Sequence, residues 1–193
     1  MNIEIKRISP DLLDDWLYFF DNVAFCNDDE WSGCYCMCYH WTKELADKKS
    51  WNCSYADKPF NRECAIDFIK KGKMQGYLAF ADGKVAGWCN ANDKDAYDNV
   101  NFRLPRDETE NGKKVKCVVC FCISPECRGK GVATSLLKQV CIDAKAQGYD
   151  MVEGYPFEHD ENKGYHGPVA MYEKLGFVIH KKLYGCVIYR KEL

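Results

Sequence analysis

The segment from Ile123 to Ala133, Ile-Ser-Pro-Glu-Cys-Arg128-Gly129-Lys130-Gly131-Val132-Ala133, concentrates the residues best able to hold an anion. Two glycines in a turn that opens into a helix let a ligand approach the backbone, and the first helical amides have no partner within the helix. The positive end of the helix dipole adds to those donors, with Arg128 and Lys130 as cationic contacts, so the segment reads as a phosphate cradle. Other phosphate motifs fit poorly: GxxxxGK[ST] is absent, and GxGxxG needs Gly or Ala where Thr134 stands. Taken alone, Gly-x-Gly before a helix is equally compatible with a plain strand-to-helix turn.

Thirteen cysteines are the second chemical signal. Cys34, Cys36, Cys38 and His40 alternate in WSGCYCMCYHW, and Cys117, Cys120, Cys122 and Cys127 lie in KCVVCFCISPEC. In a strand the first three thiols would stand about 6.5 Å apart, too far to converge on one zinc ion. Neither cluster has two CxxC pairs separated by a knuckle-length loop, so no metal site is assigned. An odd number of thiols cannot all pair within one chain, and the N-terminal MNIEIKRISPD puts Glu4, Lys6 and Arg7 where a signal peptide needs apolar residues. The expectation is a cytoplasmic protein whose cysteines are reduced and serve mainly as small hydrophobes.

These residues need elements to position them. IEIKRI (3–8) alternates as a half-buried strand, and Ser9-Pro10-Asp11 starts a helix over LLDDWLYFFDNV. A helix is expected over 63–72, ended by Gly72, after an irregular stretch at 26–58. Asp82-Gly83 suits a type I′ turn joining strands 76–81 and 84–91. Residues 93–114 are charged and read as a surface excursion, followed by a buried strand at 114–123. From Val132, apolar residues recur at Leu136, Leu137, Val140, Cys141 and Ala144, a helical stripe closed by Gly148. A strand at 151–157, a polar loop, a short helix between Pro168 and Gly176, and two closing strands complete an α/β order.

Composition excludes several classes. Apolar residues make up 47% of the 193 and charged residues 29%, as in a globular chain expected to form a single domain, 1–193. With 27 basic against 29 acidic side chains, no bulk charge draws the protein to nucleic acid or to an anionic membrane, and no apolar run reaches 18 residues.

Arg128, Gly131 and Ala133 match the acyl-CoA signature [Q/R]-x-x-G-x-[G/A], and the segment therefore resembles the GCN5-related N-acetyltransferase (GNAT) family. YEKLGF (172–177) is similar to that family's closing helix motif, and Ile123-Ser124-Pro125 to the V-x-P before the signature. Tyr165 stands where the family often has Asn, and the stretch 31–41 matches no general family motif. WCN, VEGYPF and YHGPVAMYEKLGF look like a bacterial-type subgroup.

The resemblance implies a GNAT-like mixed, mostly antiparallel central sheet of six to seven strands, splayed between the fourth and fifth and flanked by helices. It implies acetyl-CoA as cosubstrate, with the backbone of Cys122 and Ile123 pairing with the pantetheine. Amides from Gly129 through Lys130, Gly131, Val132 and Ala133 to Thr134 would then hold the pyrophosphate, with Arg128 beside them. The implied reaction is direct attack of an amine, from a small molecule or a peptide, on the thioester, in a monomer or homodimer. Tyr172 would protonate the departing sulfur, unless it only packs its helix. Glu153 is the favoured base, with His159 and His166 as rivals. Trp31, Tyr35, Tyr39 and Trp41, with Tyr155, are expected at the acceptor wall, where the acidic 158–161 region would favour a cation. An acyl-CoA-binding sensor with little turnover, or a cysteine-rich metal or redox protein on the same scaffold, are the competing readings.

Overall fold

A computed structural model describes residues 1–25, 31–48, 57–97, 104–157, 165–183 and 186–193. The hairpin is built as its turn dictates: Asp82 and Gly83 both have positive φ, 49° and 80°, the geometry a type I′ connection requires. It joins β2 (Gly76–Ala81) to β3 (Lys84–Asp93), with β1 (Ile3–Arg7) against the outer side of β2. β3 pairs antiparallel with β4 (Val115–Ile123), and β4 pairs parallel with β5 (Met151–Gly154). β7 (Cys186–Glu192) follows β5 and β6 (Val178–Leu183) forms the edge, so the order is β1-β2-β3-β4-β5-β7-β6 with one parallel pair. This is the expected mixed, mostly antiparallel sheet.

Each face of the sheet carries its own core. On one, α4 (Val132–Ala146) lays down the stripe read from the sequence, burying Val132, Leu136, Leu137, Val140, Cys141 and Ala144 against Tyr77, Ala79, Val118 and Phe121. Each aliphatic side chain so buried contributes about 1.5–3 kcal/mol. The other face is aromatic. Trp16 of α1 (Leu13–Tyr18), Phe19 and Phe20 of the π-turn that continues it, Tyr35 and Trp41 close over Trp88 and Cys120. Among the described residues, the remaining α-helices are α2 (Lys43–Lys48), α3 (Lys58–Lys70) and α5 (Val169–Lys174). Among the described residues, no helix is long and apolar enough to cross a membrane.

Three expectations need correction. α3 begins five residues before position 63, because Asp57 caps the Phe60 amide and Pro59 occupies the first turn, where its missing N–H costs nothing. The excursion after β3 is not confined to the surface: Lys94, Tyr97, Leu104 and Glu110 are buried. β5 stops at Gly154 rather than reaching residue 157.

Candidate active site

The sheet opens where β5 ends. Val115–Val118 of β4 pair with Met151–Gly154 of β5, while β4 itself runs on to Ile123. Strand alternation assigns the backbone groups beyond that point. The Ser124 amide bonds to the Ala86 carbonyl on the β3 side, so Cys122, paired with Trp88, also faces β3. Phe121 and Ile123 face the opening; the Phe121 amide donates to the Tyr165 carbonyl there. Of the two residues expected to meet a pantetheine chain, Ile123 is therefore turned to the opening and Cys122 is not.

β4 leads directly into the glycine turn. Gly129 and Gly131 have φ of 71° and 84°, and Gly131 is the N-cap of α4. A Cβ placed on either glycine would meet nothing within 4 Å, so both face open space. The Ser135 amide makes the first intrahelical bond, to the Gly131 carbonyl, which leaves Val132, Ala133 and Thr134 as first-turn donors. Arg128 and Lys130 are exposed beside them, and Arg128 Nε donates to the Ile123 carbonyl at 3.2 Å. The fifteen-residue α4, its open N-terminus and two cations suit the phosphates of an acyl-CoA.

Tyr172 stands at the fork. Its ring lies over β5 at Gly154, where a Cβ would come within 2.1 Å of Cε1 and 2.7 Å of the hydroxyl oxygen. Only glycine permits that approach. The hydroxyl donates to the His166 carbonyl at 2.7 Å, and burial pushes the phenol well above its ordinary pKa, keeping it protonated. His166 is half-buried; its Nε2 is 3.2 Å from the Tyr39 hydroxyl, and Phe157 meets its ring edge-on at 4.7 Å. His159 and the acidic residues 158–161 lie outside the described residues.

Glu153 is placed differently from a poised base. It is fully buried, with Oε2 accepting from Lys94 Nζ at 2.7 Å and from the Tyr155 hydroxyl at 2.9 Å. Its Oε1 accepts from Arg190 Nε at 2.8 Å and Nη2 at 2.5 Å. Glu110 completes the set, 2.8 Å from Lys94 and 3.3 Å from Arg190. Two carboxylates and two cations thus neutralise one another inside the protein, the condition under which buried charges are tolerated. Tyr155 also meets Cys117 Sγ at 3.0 Å, and its burial removes it from an acceptor wall.

The aromatic segment divides similarly. Tyr35 is fully buried and its hydroxyl donates to Asp21, which Arg62 also grips, so it is a core residue rather than a lining one. Trp41 is buried too. Trp31 and Tyr39 are partly exposed, Trp31 packing on Tyr165 at 5.7 Å and Tyr39 reaching His166. Sequence reasoning missed the buried charge set, whose only local trace is lysine and glutamate in an otherwise turn-like stretch.

The same architecture occurs in solved structures. The PaiA N-acetyltransferase of Thermoplasma acidophilum, in complex with coenzyme A, is 18% identical with a TM-score of 0.59, both chains covered in full. A mosquito arylalkylamine N-acetyltransferase-like protein, 5b, is 14% identical (TM-score 0.58), and the polyamine N-acetyltransferase of Drosophila melanogaster 11% (0.55), again over the whole of both chains. No curated protein gives a significant match. The acetyltransferase (GNAT) family matches residues 19–177, which include the fork, the glycine turn and Tyr172, and the chain belongs to that family.

Proposed function

We propose that the protein transfers the acetyl group of acetyl-CoA to the amine of a small molecule by direct attack. The observation that carries this reading is the continuity of β4 from the fork, past the outward-facing Ile123, into the open Gly129–Gly131 turn. That path offers strand-like pairing for pantetheine and helix-terminal amides for pyrophosphate in the order an acyl-CoA needs them. Coenzyme A bound to the PaiA enzyme supports it, as do the polyamine N-acetyltransferase and the arylalkylamine N-acetyltransferase-like protein among the similar structures.

The roles follow the geometry. With acetyl-CoA bound, the Tyr172 hydroxyl turns its one hydrogen from the His166 carbonyl to the sulfur and shares that proton with the thiolate as the carbon–sulfur bond breaks. His166 takes the proton the amine loses as the amide forms; its half-buried ring meets the Tyr39 hydroxyl, and its own carbonyl accepts from Tyr172. Glu153 anchors the buried charges behind β5 instead of acting as the base. Trp31, Tyr39 and Tyr165 supply the partly exposed aromatic surface for the acceptor's carbon skeleton.

Two measurements test this. Release of CoA thiol is expected with one or more members of a panel of polyamines and arylalkylamines. Gly131→Glu is expected to abolish CoA binding by calorimetry while the protein stays folded. The added carboxylate has room but carries about 1–2 kcal/mol of left-handed strain, and it sets a negative charge where phosphate must approach. Unchanged CoA affinity in the folded variant rejects the cradle. CoA binding without thiol release across the panel favours an acyl-CoA sensor.

A further inference from the structure

Tyr39 is set in place by a strained turn. Tyr35 and Cys36 have left-handed backbone, φ 45° and 53°, which non-glycine residues keep only where their surroundings demand it. The Met37 amide closes this turn on the Cys34 carbonyl at 2.9 Å, and a single 3₁₀ turn, Met37–Tyr39, follows. Contacts with distant parts of the chain fasten the segment. Asn61 Nδ2 donates to the Gly33 carbonyl at 2.7 Å, the Tyr35 hydroxyl to Asp21, and Trp88 Nε1 to Cys36 Sγ at 3.2 Å. Asn90 Nδ2 lies 3.2 Å from His40 Nε2. Backbone strain fixed from several sides gathers at sites that need a side chain held in one place. The side chain held here is Tyr39, whose ring stands edge-on to Tyr97 and His166, with centroids 6.4 and 6.2 Å away. His166 in turn meets two hydroxyls: its carbonyl accepts from Tyr172 at 2.7 Å, and its Nε2 lies 3.2 Å from Tyr39. Nδ1 is buried, so the ring exchanges a proton through Nε2, where the Tyr39 hydroxyl already holds the hydrogen-bonding position.

We propose that Tyr39 is a catalytic proton relay, its hydroxyl accepting the proton that the amine loses while its own hydrogen passes to His166 Nε2. The role rests on acetyl transfer with His166 as the base. As the amine nitrogen bonds to the thioester carbon, its N–H bond breaks and an O–H bond forms on Tyr39; the former Tyr39 hydrogen goes to Nε2, and His166 ends as imidazolium. Tyr39 is neutral before and after the step. That suits its surroundings, since burial pushes the phenol well above its ordinary pKa and disfavours a phenolate. Transfer in this direction needs neutral His166 with its hydrogen on Nδ1 and its lone pair on Nε2, facing the Tyr39 hydrogen. A hydroxyl that only positioned His166 would accept from Nε2–H instead. The relay also explains why both hydroxyls converge on one residue. The departing sulfur and the attacking nitrogen share a carbon during the reaction, so the group that protonates one and the group that deprotonates the other must lie close together.

The tautomer and a double-variant comparison test this on the full chain. Heteronuclear NMR of the imidazole nitrogens, at about pH 8 where imidazole is neutral, is expected to show His166 protonated at Nδ1 and unprotonated at Nε2. The opposite tautomer overturns the relay, and this readout needs neither acetyl-CoA nor an amine. With an amine that the panel shows to be acetylated, Tyr39→Phe and His166→Gln should each leave CoA affinity unchanged and lower kcat about 10²- to 10⁴-fold. The double variant should be no slower than the slower single one, because members of a relay act as a unit. Losses that multiply in the double variant overturn the relay. Parental kcat in Tyr39→Phe beside a slow His166→Gln overturns the relay alone, whereas parental kcat in His166→Gln removes the base and the relay with it. Tyr39→Phe keeps the ring and its packing; should it fail to fold, the tautomer decides.

Discussion

At the scale of single residues, two buried groups near the fork carry opposite expectations. Tyr172 keeps its proton because burial disfavours the phenolate, and its hydroxyl already donates at the fork. Tyr172→Phe removes one oxygen from a well-packed ring, so CoA affinity should be retained while turnover falls about 10²- to 10⁴-fold. Turnover equal to that of the parent protein removes Tyr172 from the chemistry. Glu153→Gln instead strips one negative charge from a set of four, leaving Lys94 and Arg190 to share Glu110. Breaking such a buried set costs about 3–5 kcal/mol, read as an earlier midpoint in urea, and the acidic limb of the pH–rate profile should stay in place. A flattened limb with unaltered stability would return the base role to Glu153.

At the scale of elements, the fork depends on how closely α5 lies on β5. Gly154→Ala puts a methyl group into the Tyr172 ring from a strand tied on both sides, to β4 and β7, so the ring and α5 must move. Overpacking of this kind costs about 1–3 kcal/mol. Turnover should drop with thermal stability, whereas CoA affinity, set at the other end of β4, should change little. A variant with parental turnover would show that the Tyr172 position is not critical. The same elements show what could be read in advance. The hairpin and α4 were legible because their signals are local: Asp82-Gly83 fixes a turn, and a 3.6-residue stripe fixes a helical face. The end of β5 was not legible, since YPF continues the apolar run of VEG and only the divergence of β4 and β5 stops the pairing. Nor was the burial of Lys94 and Glu110, which needs partners 59 and 80 positions away, at Glu153 and Arg190. Alternation in 31–41 suggested a strand-like spacing of thiols, but left-handed residues at Tyr35 and Cys36 make a tight turn there, closed by the Met37 amide on the Cys34 carbonyl.

At the scale of the whole molecule, the aromatic core contains a histidine that links stability to pH. His40 is 3% exposed, bonded to Asn90 at 3.2 Å and packed against Phe68 and Tyr97. Burial pulls its pKa down to about 4, with the Asn90 hydrogen bond opposing, so the folded protein keeps it neutral where an unfolded chain protonates it near 6.5. Between those values the unfolded state binds the extra proton, and stability therefore falls as pH drops from about 6.5 to about 4 and levels off below. The interval is worth about 3 kcal/mol. Carboxylates act in a lower window. Burial raises Asp21, but Arg62 and Tyr35 hold it below its ordinary value, and Thr109 and His180 do the same for Asp107, so their contributions disappear only below about pH 4. Urea unfolding at pH 7.5 and 4.5 separates the two. The parent protein should lose about 2–3 kcal/mol more over this range than His40→Gln, which keeps a polar partner for Asn90 but takes up no proton. Equal losses in both proteins would show that His40 is not the group that makes this fold acid-sensitive.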